Sequence, residues 1–208
     1  GMVKIITGIR RCGKSYLLFK LFRDHLLESG IKEDHIISIA LDDFGNRKLQ
    51  NPDELYNYVK CQIVDNEDYY ILLDEIQLVP EFESVINGFM HIPNADIYVT
   101  GSNSKFLSSD IITEFRGRGD EIRVYPLNFS EFYSVYGGDF DKAWIMYCNY
   151  GGMPLCLSME TVADKAKYLT SLFDTTYLAD IINRNNLRGN VEINELTDVL
   201  ASSIGSLT

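Results

Sequence analysis

Residues 8–15 read Gly-Ile-Arg-Arg-Cys-Gly-Lys-Ser, an unbroken match to G-x-x-x-x-G-K-[ST]. The residues on either side narrow the possible folds further. Val3 to Thr7 (VKIIT) is a short β-branched apolar run, the pattern of a buried strand. From Lys14 onward, Leu17, Leu18, Leu21, Phe22 and Leu26 recur on one helical face, and Gly30 is a good stop. A strand, a glycine-bounded loop and an amphipathic helix therefore follow one another directly. Glycines at both ends let the backbone wrap closely around phosphate oxygens. Amides from about Arg10 to Lys14 can point inward as a nest of donors, and the helix start adds its positive dipole. Lys14 can bridge the β- and γ-phosphates, and the Ser15 hydroxyl can ligate Mg2+. The expected nucleotide contacts are Gly8, Ile9, Arg10, Arg11, Cys12, Gly13, Lys14, Ser15 and Tyr16. A glycine turn with a surface lysine is the competing reading, and the strand–loop–helix context disfavours it.

A second element suits the first. Ile71-Leu72-Leu73-Asp74-Glu75 is an apolar strand ending in two carboxylates. Asp74 at that end can hold Mg2+, directly or through water. Glu75 can polarise an attacking water as general base. An adjacent base for water argues against a small-molecule kinase, which must keep water from the γ-phosphate. A further strand, His35 to Leu41, lies between the phosphate loop and the Asp-Glu strand in sequence. That order is consistent with an ATPase carrying an additional strand there.

The remaining pattern alternates. Asn51-Pro52 supplies an N-cap and a first-turn proline for a helix toward Val64. A strand at Tyr69 to Leu73, a helix at Pro80 to Met90 and a strand at Asp96 to Thr100 follow. A polar helix near Lys105 to Phe115 and a fifth strand at Glu121 to Tyr125 complete the series. Alternation of this kind predicts an α/β fold with a parallel five-stranded sheet covered by helices on both faces. Chemistry in such sheets gathers at the carboxyl ends of the strands. There Thr100-Gly101-Ser102-Asn103 can orient the attacking water through Ser102 or Asn103, which the sequence does not separate. Arg116-Gly117-Arg118-Gly119 precedes the fifth strand, and Arg116 or Arg118 can serve a neighbouring subunit's γ-phosphate. After Pro126 the periodicity is helical, with one helix from about Glu160 to Asn183 and another starting near Val191.

Composition narrows the partners. Among 208 residues, 19 basic and 30 acidic side chains leave a net charge of −11. General attraction to nucleic acid or to an anionic membrane is disfavoured. No apolar run approaches the ~18 residues of a membrane span, and no secretory signal pattern opens the chain. Cys12, Cys61, Cys148 and Cys156 show no CxxC spacing and read as reduced thiols, so a cytoplasmic location is expected. A helix terminus could lower the Cys12 thiol pKa, although a small filler is the preferred reading. His25, His35 and His91 are isolated and are expected at the surface.

GIRRCGKS, YYILLDEIQ, IYVTGSNS, FRGRGDEIRVYPLNFSEF and YGGMPL occur in that order. Together they resemble the prokaryotic AAA+-type P-loop ATPases related to the archaeal ATPase and STAND groups. The resemblance implies a P-loop core over residues 1–127, a helical lid over 128–190 and the start of a winged helix over 191–208. It implies Lys14 and Ser15 in the first Walker motif and Asp74 and Glu75 in the second. Ser102 or Asn103 takes the first sensor position and Arg116 or Arg118 the finger position. Gly151-Gly152-Met153-Pro154 resembles the lid motif whose Pro154 packs near the base. Adenine is likewise implied by the resemblance, since no guanine-reading motif is visible. Gly1-Met2 reads as a tag remnant and a start methionine, and the winged helix has barely begun, so truncation at both ends is expected. The activity implied is Mg2+-dependent ATP hydrolysis, with a homo-oligomer or a protein partner allowed. The alternatives are a nucleotide-controlled switch or scaffold with little turnover, or the ATPase part of a DNA-binding protein.

Overall fold

The computed structural model describes residues 2–101, 115, 117–174 and 191–203. Five strands form one sheet: β1 (Val3–Thr7), β2 (Ile36–Ala40), β3 (Tyr69–Asp74), β4 (Ala95–Thr100) and β5 (Gly119–Arg123). Their spatial order is β2-β3-β4-β1-β5, and every neighbouring pair is parallel. The expected five-stranded parallel sheet is thus the observed one. Parallel pairing requires a crossover after each strand, and among the described residues helices supply it after β1, β2 and β3.

Helix α1 begins as an α-helical turn (Lys14–Tyr16), passes through a π-helical stretch (Leu17–Phe22) and returns to α geometry (Arg23–Glu28). Helix α2 (Pro52–Gln62) starts where the sequence places it: the Asn51 side chain accepts from the amides of Asp53 and Glu54. Helix α3 spans Phe82–Phe89. The two-residue alternation of the strands divides the core. Ile5, Ile71, Leu73, Ile97 and Val99 face Leu55 and Val59 of α2 and Phe82, Ile86 and Phe89 of α3. Ile6 and Leu72 face the other way, onto Leu18 and Leu26 of α1. Burial of each such side chain is worth about 1.5–3 kcal/mol, so both faces hold the sheet.

After β5 the described elements are helical: α4 (Phe129–Tyr136), α5 (Phe140–Tyr150), α6 (Pro154–Leu157), α7 (Val162–Leu172) and α8 (Val191–Ser203). A reciprocal capping box between Asn128 and Glu131 opens α4. Gly152 ties this region to the core. Its carbonyl accepts from the Leu127 amide at 2.8 Å, and a Cβ there would lie 1.8 Å from the Leu127 oxygen.

Three expectations require correction. The fifth strand runs over Gly119–Arg123, two residues earlier than Glu121 to Tyr125. Its register, Val3↔Gly119 through Thr7↔Arg123, is set by β1, and Gly119 permits the approach: a Cβ there would lie 2.9 Å from Ile5 Cδ1. Most of β5 is exposed, so its apolar alternation carries little information. The helix expected over Pro80 to Met90 is shorter, Phe82–Phe89. His35 is buried, not at the surface, because the turn Glu33–His35 lays its ring on Tyr69, centroids 4.4 Å apart. His25 and His91 are exposed. The helix expected near Lys105 to Phe115 lies outside the described residues except for Phe115, which is fully buried in the core. The helix expected to reach Asn183 is described as far as Leu172, with π geometry at Phe173 and Asp174.

Candidate functional site

The site is built at the carboxyl ends of β1, β3 and β4. Gly8 leaves β1 with φ 149°, and a Cβ there would lie 2.3 Å from the Val124 oxygen and 2.9 Å from the Cys12 sulfur. No other residue fits so close to the chain leaving β5. Gly13 takes φ 109° immediately before α1, and Arg11 holds φ 64° between them. Such left-handed residues curl a loop so that successive amides face one side. Ile9, Arg10 and Arg11 are exposed at its crest, as are Ser15 and Tyr16 at the start of α1.

Lys14 is only 5 % exposed. Its ammonium donates to the carbonyls of Gly8 (2.9 Å) and Ile9 (3.0 Å), which makes a buried charge tolerable. Cys12 fills the space beneath, with its sulfur 3.5 Å from the Val124 oxygen. Burial pushes the Cys12 thiol up, against an opposing pull from Lys14. Buried in this way, Cys12 fills space beneath the loop, the reading preferred from the sequence.

Two strands away, Asp74 ends β3 and is 3 % exposed. The Thr100 hydroxyl donates to Asp74 Oδ1 and accepts from the Glu75 amide at 3.2 Å. Thr100 is fully buried, so one hydroxyl fixes both acidic residues. Glu75 leaves the strand in the left-handed region, φ 55°. For a non-glycine residue this costs about 1–3 kcal/mol, a strain that clusters at functional positions. Gln77 Nε2 donates to Glu75 Oε2, while Gln77 Oε1 is buried with no partner among the described residues.

The register explains why these groups meet. Leu73 pairs with Val99, so Asp74 and Thr100 are the next step along; Ile6 pairs with Thr100, so Thr7 follows at the same edge. Thr7 is buried and donates to Glu121 Oε1 at 2.6 Å. Sequence reading assigned no role to Thr100, Thr7 or Gln77. Thr100 was visible as a polar residue closing an apolar strand, but its partner lies 26 residues away.

A second contact was not foreseen. The Arg11 guanidinium lies over the Tyr168 ring of α7, 5.7 Å from its centroid. Tyr168 packs with Met153, Cys156 and Leu172, the cluster around Pro154 at the start of α6. Burial raises the Tyr168 hydroxyl pKa and the Arg11 charge opposes that rise. The loop and the Gly-Gly-Met-Pro segment thus share a contact through Arg11 and Tyr168.

Arg118 stands elsewhere. Its carbonyl accepts from the Val3 amide, which places it at the amino end of β1, across the sheet from the loop that follows Thr7. Its guanidinium is exposed and reaches Asn87 Oδ1 at 3.4 Å. Ser102, Asn103 and Arg116 lie outside the described residues.

The donor set fits a phosphate chain with a divalent cation. Gly8 cannot carry a Cβ, an ammonium sits at the loop, and a buried carboxylate with a hydroxyl partner lies at a nearby strand end.

A family profile described as "AAA domain" matches residues 1–133. An uncharacterized protein of Haemophilus influenzae is 31% identical over 211 residues, covering 99% of this chain and 52% of that protein. An uncharacterized protein of Methanocaldococcus jannaschii is 28% identical over 214 residues, covering 95% of this chain and 46% of that one. The chain spans about half the length of these curated relatives. Among solved structures, that of C. elegans PCH-2 superposes with a TM-score of 0.48 at 15% identity, covering 72% of this chain and 40% of the other.

Proposed function

The chain belongs to the AAA domain family, and on that premise we propose that it binds ATP with Mg2+ at the loop 8–15 and hydrolyses the γ-phosphate. One observation carries this reading. The Lys14 ammonium is buried on the loop's own carbonyls, in the same edge of the sheet where Thr100 locks Asp74.

The roles follow from the chemistry of each group. Amides of residues 9–14 and the Lys14 ammonium hold the phosphates, with Lys14 exchanging carbonyl contacts for phosphate oxygens. Ser15 and Asp74 would hold the cation, which would neutralise charge on the phosphates. Glu75 accepts the proton of the attacking water. Gln77 and the Thr100 contact to its amide hold Glu75 for that task. Ser102 or Asn103 orients the water, a role that rests on the sequence. Arg118 stands at the far edge of the sheet from its own loop, so a finger arginine, Arg116 or Arg118, would act on the γ-phosphate of a second copy in a homo-oligomer. The domain organisation proposed is a core over 1–127, a lid over 128–190 with Pro154 near the base, and the start of a winged helix from 191. Among the described residues no helix is long and apolar enough to cross a membrane.

A second reading, a nucleotide-controlled switch with little turnover, is favoured by the Arg11–Tyr168 contact. Through it, a change at the loop reaches the helices after residue 127.

Phosphate release from ATP separates the two. With Mg2+ present, wild-type turnover is expected, and Glu75→Gln should retain ATP while losing about 10²–10⁴-fold in rate. Lys14→Ala should lose ATP binding itself. Tight ATP binding by the wild type without phosphate release would favour the switch. Wild-type turnover by Glu75→Gln would remove the role assigned to Glu75.

A further inference from the structure

Away from the phosphate loop, at the amino-terminal edge of β2 and β3, the turns 33–35 and 65–67 face each other. His35 ends the first turn with its side chain 95 % buried, fixed by stacking on Tyr69. Carboxylates stand on both sides of the ring. Nε2 faces Asp65 Oδ2 at 3.4 Å and Asp34 Oδ1 at 3.9 Å, and Nδ1 faces Glu67 Oε2 at 3.6 Å. All three distances exceed the 2.7–3.2 Å of an N–H···O bond. The buried ring thus faces three carboxylate oxygens at ion-pair distance, none as close as an N–H···O bond.

The spacing matches another kind of bond. Two ligands of one tetrahedral cation, each about 2.0–2.1 Å from it, lie about 3.4 Å apart. His35 Nε2 and Asp65 Oδ2 have that separation. One atom each from His35, Asp65 and Glu67 falls within 4.8 Å of the others. Asp65 is also held in place: its Oδ1 accepts from the Glu67 amide at 2.9 Å, and its Oδ2 faces the ring. Glu67 is compensated, with both oxygens bound by the Lys32 ammonium at 2.9 and 3.1 Å. A carboxylate behind the far nitrogen of a ligating histidine fixes ring orientation and raises basicity.

We infer that His35 Nε2 and the Asp65 carboxylate form a divalent transition-cation site of the Zn2+ type, with Asp34 completing the protein ligands. Glu67, held by Lys32, orients the ring from behind. An imidazole among the ligands selects Zn2+ over Mg2+, which prefers oxygen throughout. The site is separate from the phosphate loop, since it lies before β2 and β3 while the loop follows β1. Its role is structural: the cation staples two turns that begin neighbouring strands.

Calorimetric titration of Zn2+ into the metal-stripped chain, without nucleotide, tests this. One Zn2+ per chain is expected, unaffected by millimolar Mg2+. Affinity should fall at least 100-fold in His35→Gln and in Asp65→Asn, and about 10–100-fold in Glu67→Gln. Lys32→Met, which removes a competing cation and no ligand, should bind several-fold more tightly. Asp65 is at the surface, so Asp65→Asn decides the matter should His35→Gln fail to fold. No uptake at 1 mM Zn2+, or Asp65→Asn binding as tightly as wild type, would overturn the assignment. Binding that persists in these variants would place the ion on cysteine thiols instead.

Discussion

A single buried hydroxyl organises the acidic half of the site. Thr100 donates to Asp74 and accepts from the Glu75 amide, so its loss disturbs two groups at once. Thr100→Val keeps the shape but leaves a buried carboxylate short of a donor and an amide without its acceptor. The expected cost is about 1–3 kcal/mol in urea unfolding, with Thr100→Ser restoring most of it. An unfolding midpoint for Thr100→Val equal to that of wild type would show that the hydroxyl holds nothing. At this scale, legibility depended on distance along the chain. Gly8, Gly13 and Lys14 declare themselves within eight residues, because a phosphate loop is a local device. Asp74 and Glu75 are legible as the polar end of an apolar strand. Thr100 and Tyr168 are not, because their partners Asp74 and Arg11 come to them only through sheet register and helix packing.

Among the elements, the strands β1, β3 and β4 were legible nearly to the residue, since burial on both faces leaves mostly apolar runs. The edge strand β5 was not. Its position follows from pairing with β1 and from the space at Gly119, neither of which a hydrophobic pattern encodes. The π-helical stretch in α1 was likewise invisible, because its apolar spacing reads as an ordinary helix. Strand β4 carries a pH signature. Burial, then the hydrogen bond to Asp96 at 2.9 Å, push the Tyr98 phenol well above its ordinary value. A group whose folded pKa is raised stabilises fully below its unfolded pKa, about 10 here, and loses that contribution as pH rises further. Thermal stability should therefore decline above about pH 10. Tyr98→Phe should flatten the decline without abolishing it, since burial also raises Tyr70. An unchanged alkaline slope in melts of Tyr98→Phe would contradict this. Where the core meets the helices after residue 127, Gly152→Ala should unfold the chain more readily. Its Cβ would overlap the Leu127 oxygen, and overpacking costs about 1–3 kcal/mol or more.

The whole molecule places two sets of groups on opposite edges of one sheet. The phosphate loop, Asp74 and Thr100 occupy the carboxyl edge, and Arg118 and the His35 cluster occupy the amino edge. An arginine on the far edge cannot serve its own loop, so any catalytic use of it requires a second copy of the chain. The layered fold was legible because strands alternate with helical patterns, whereas this division between edges depends on where each connection enters the sheet. The central claim is that the loop 8–15 captures the triphosphate of ATP, and calorimetric titration of ATP with Mg2+ tests it most directly. Saturable binding of one ATP per chain, abolished by Lys14→Ala while the variant keeps its fold, is the result expected; a wild-type chain that stays empty at millimolar ATP would contradict it.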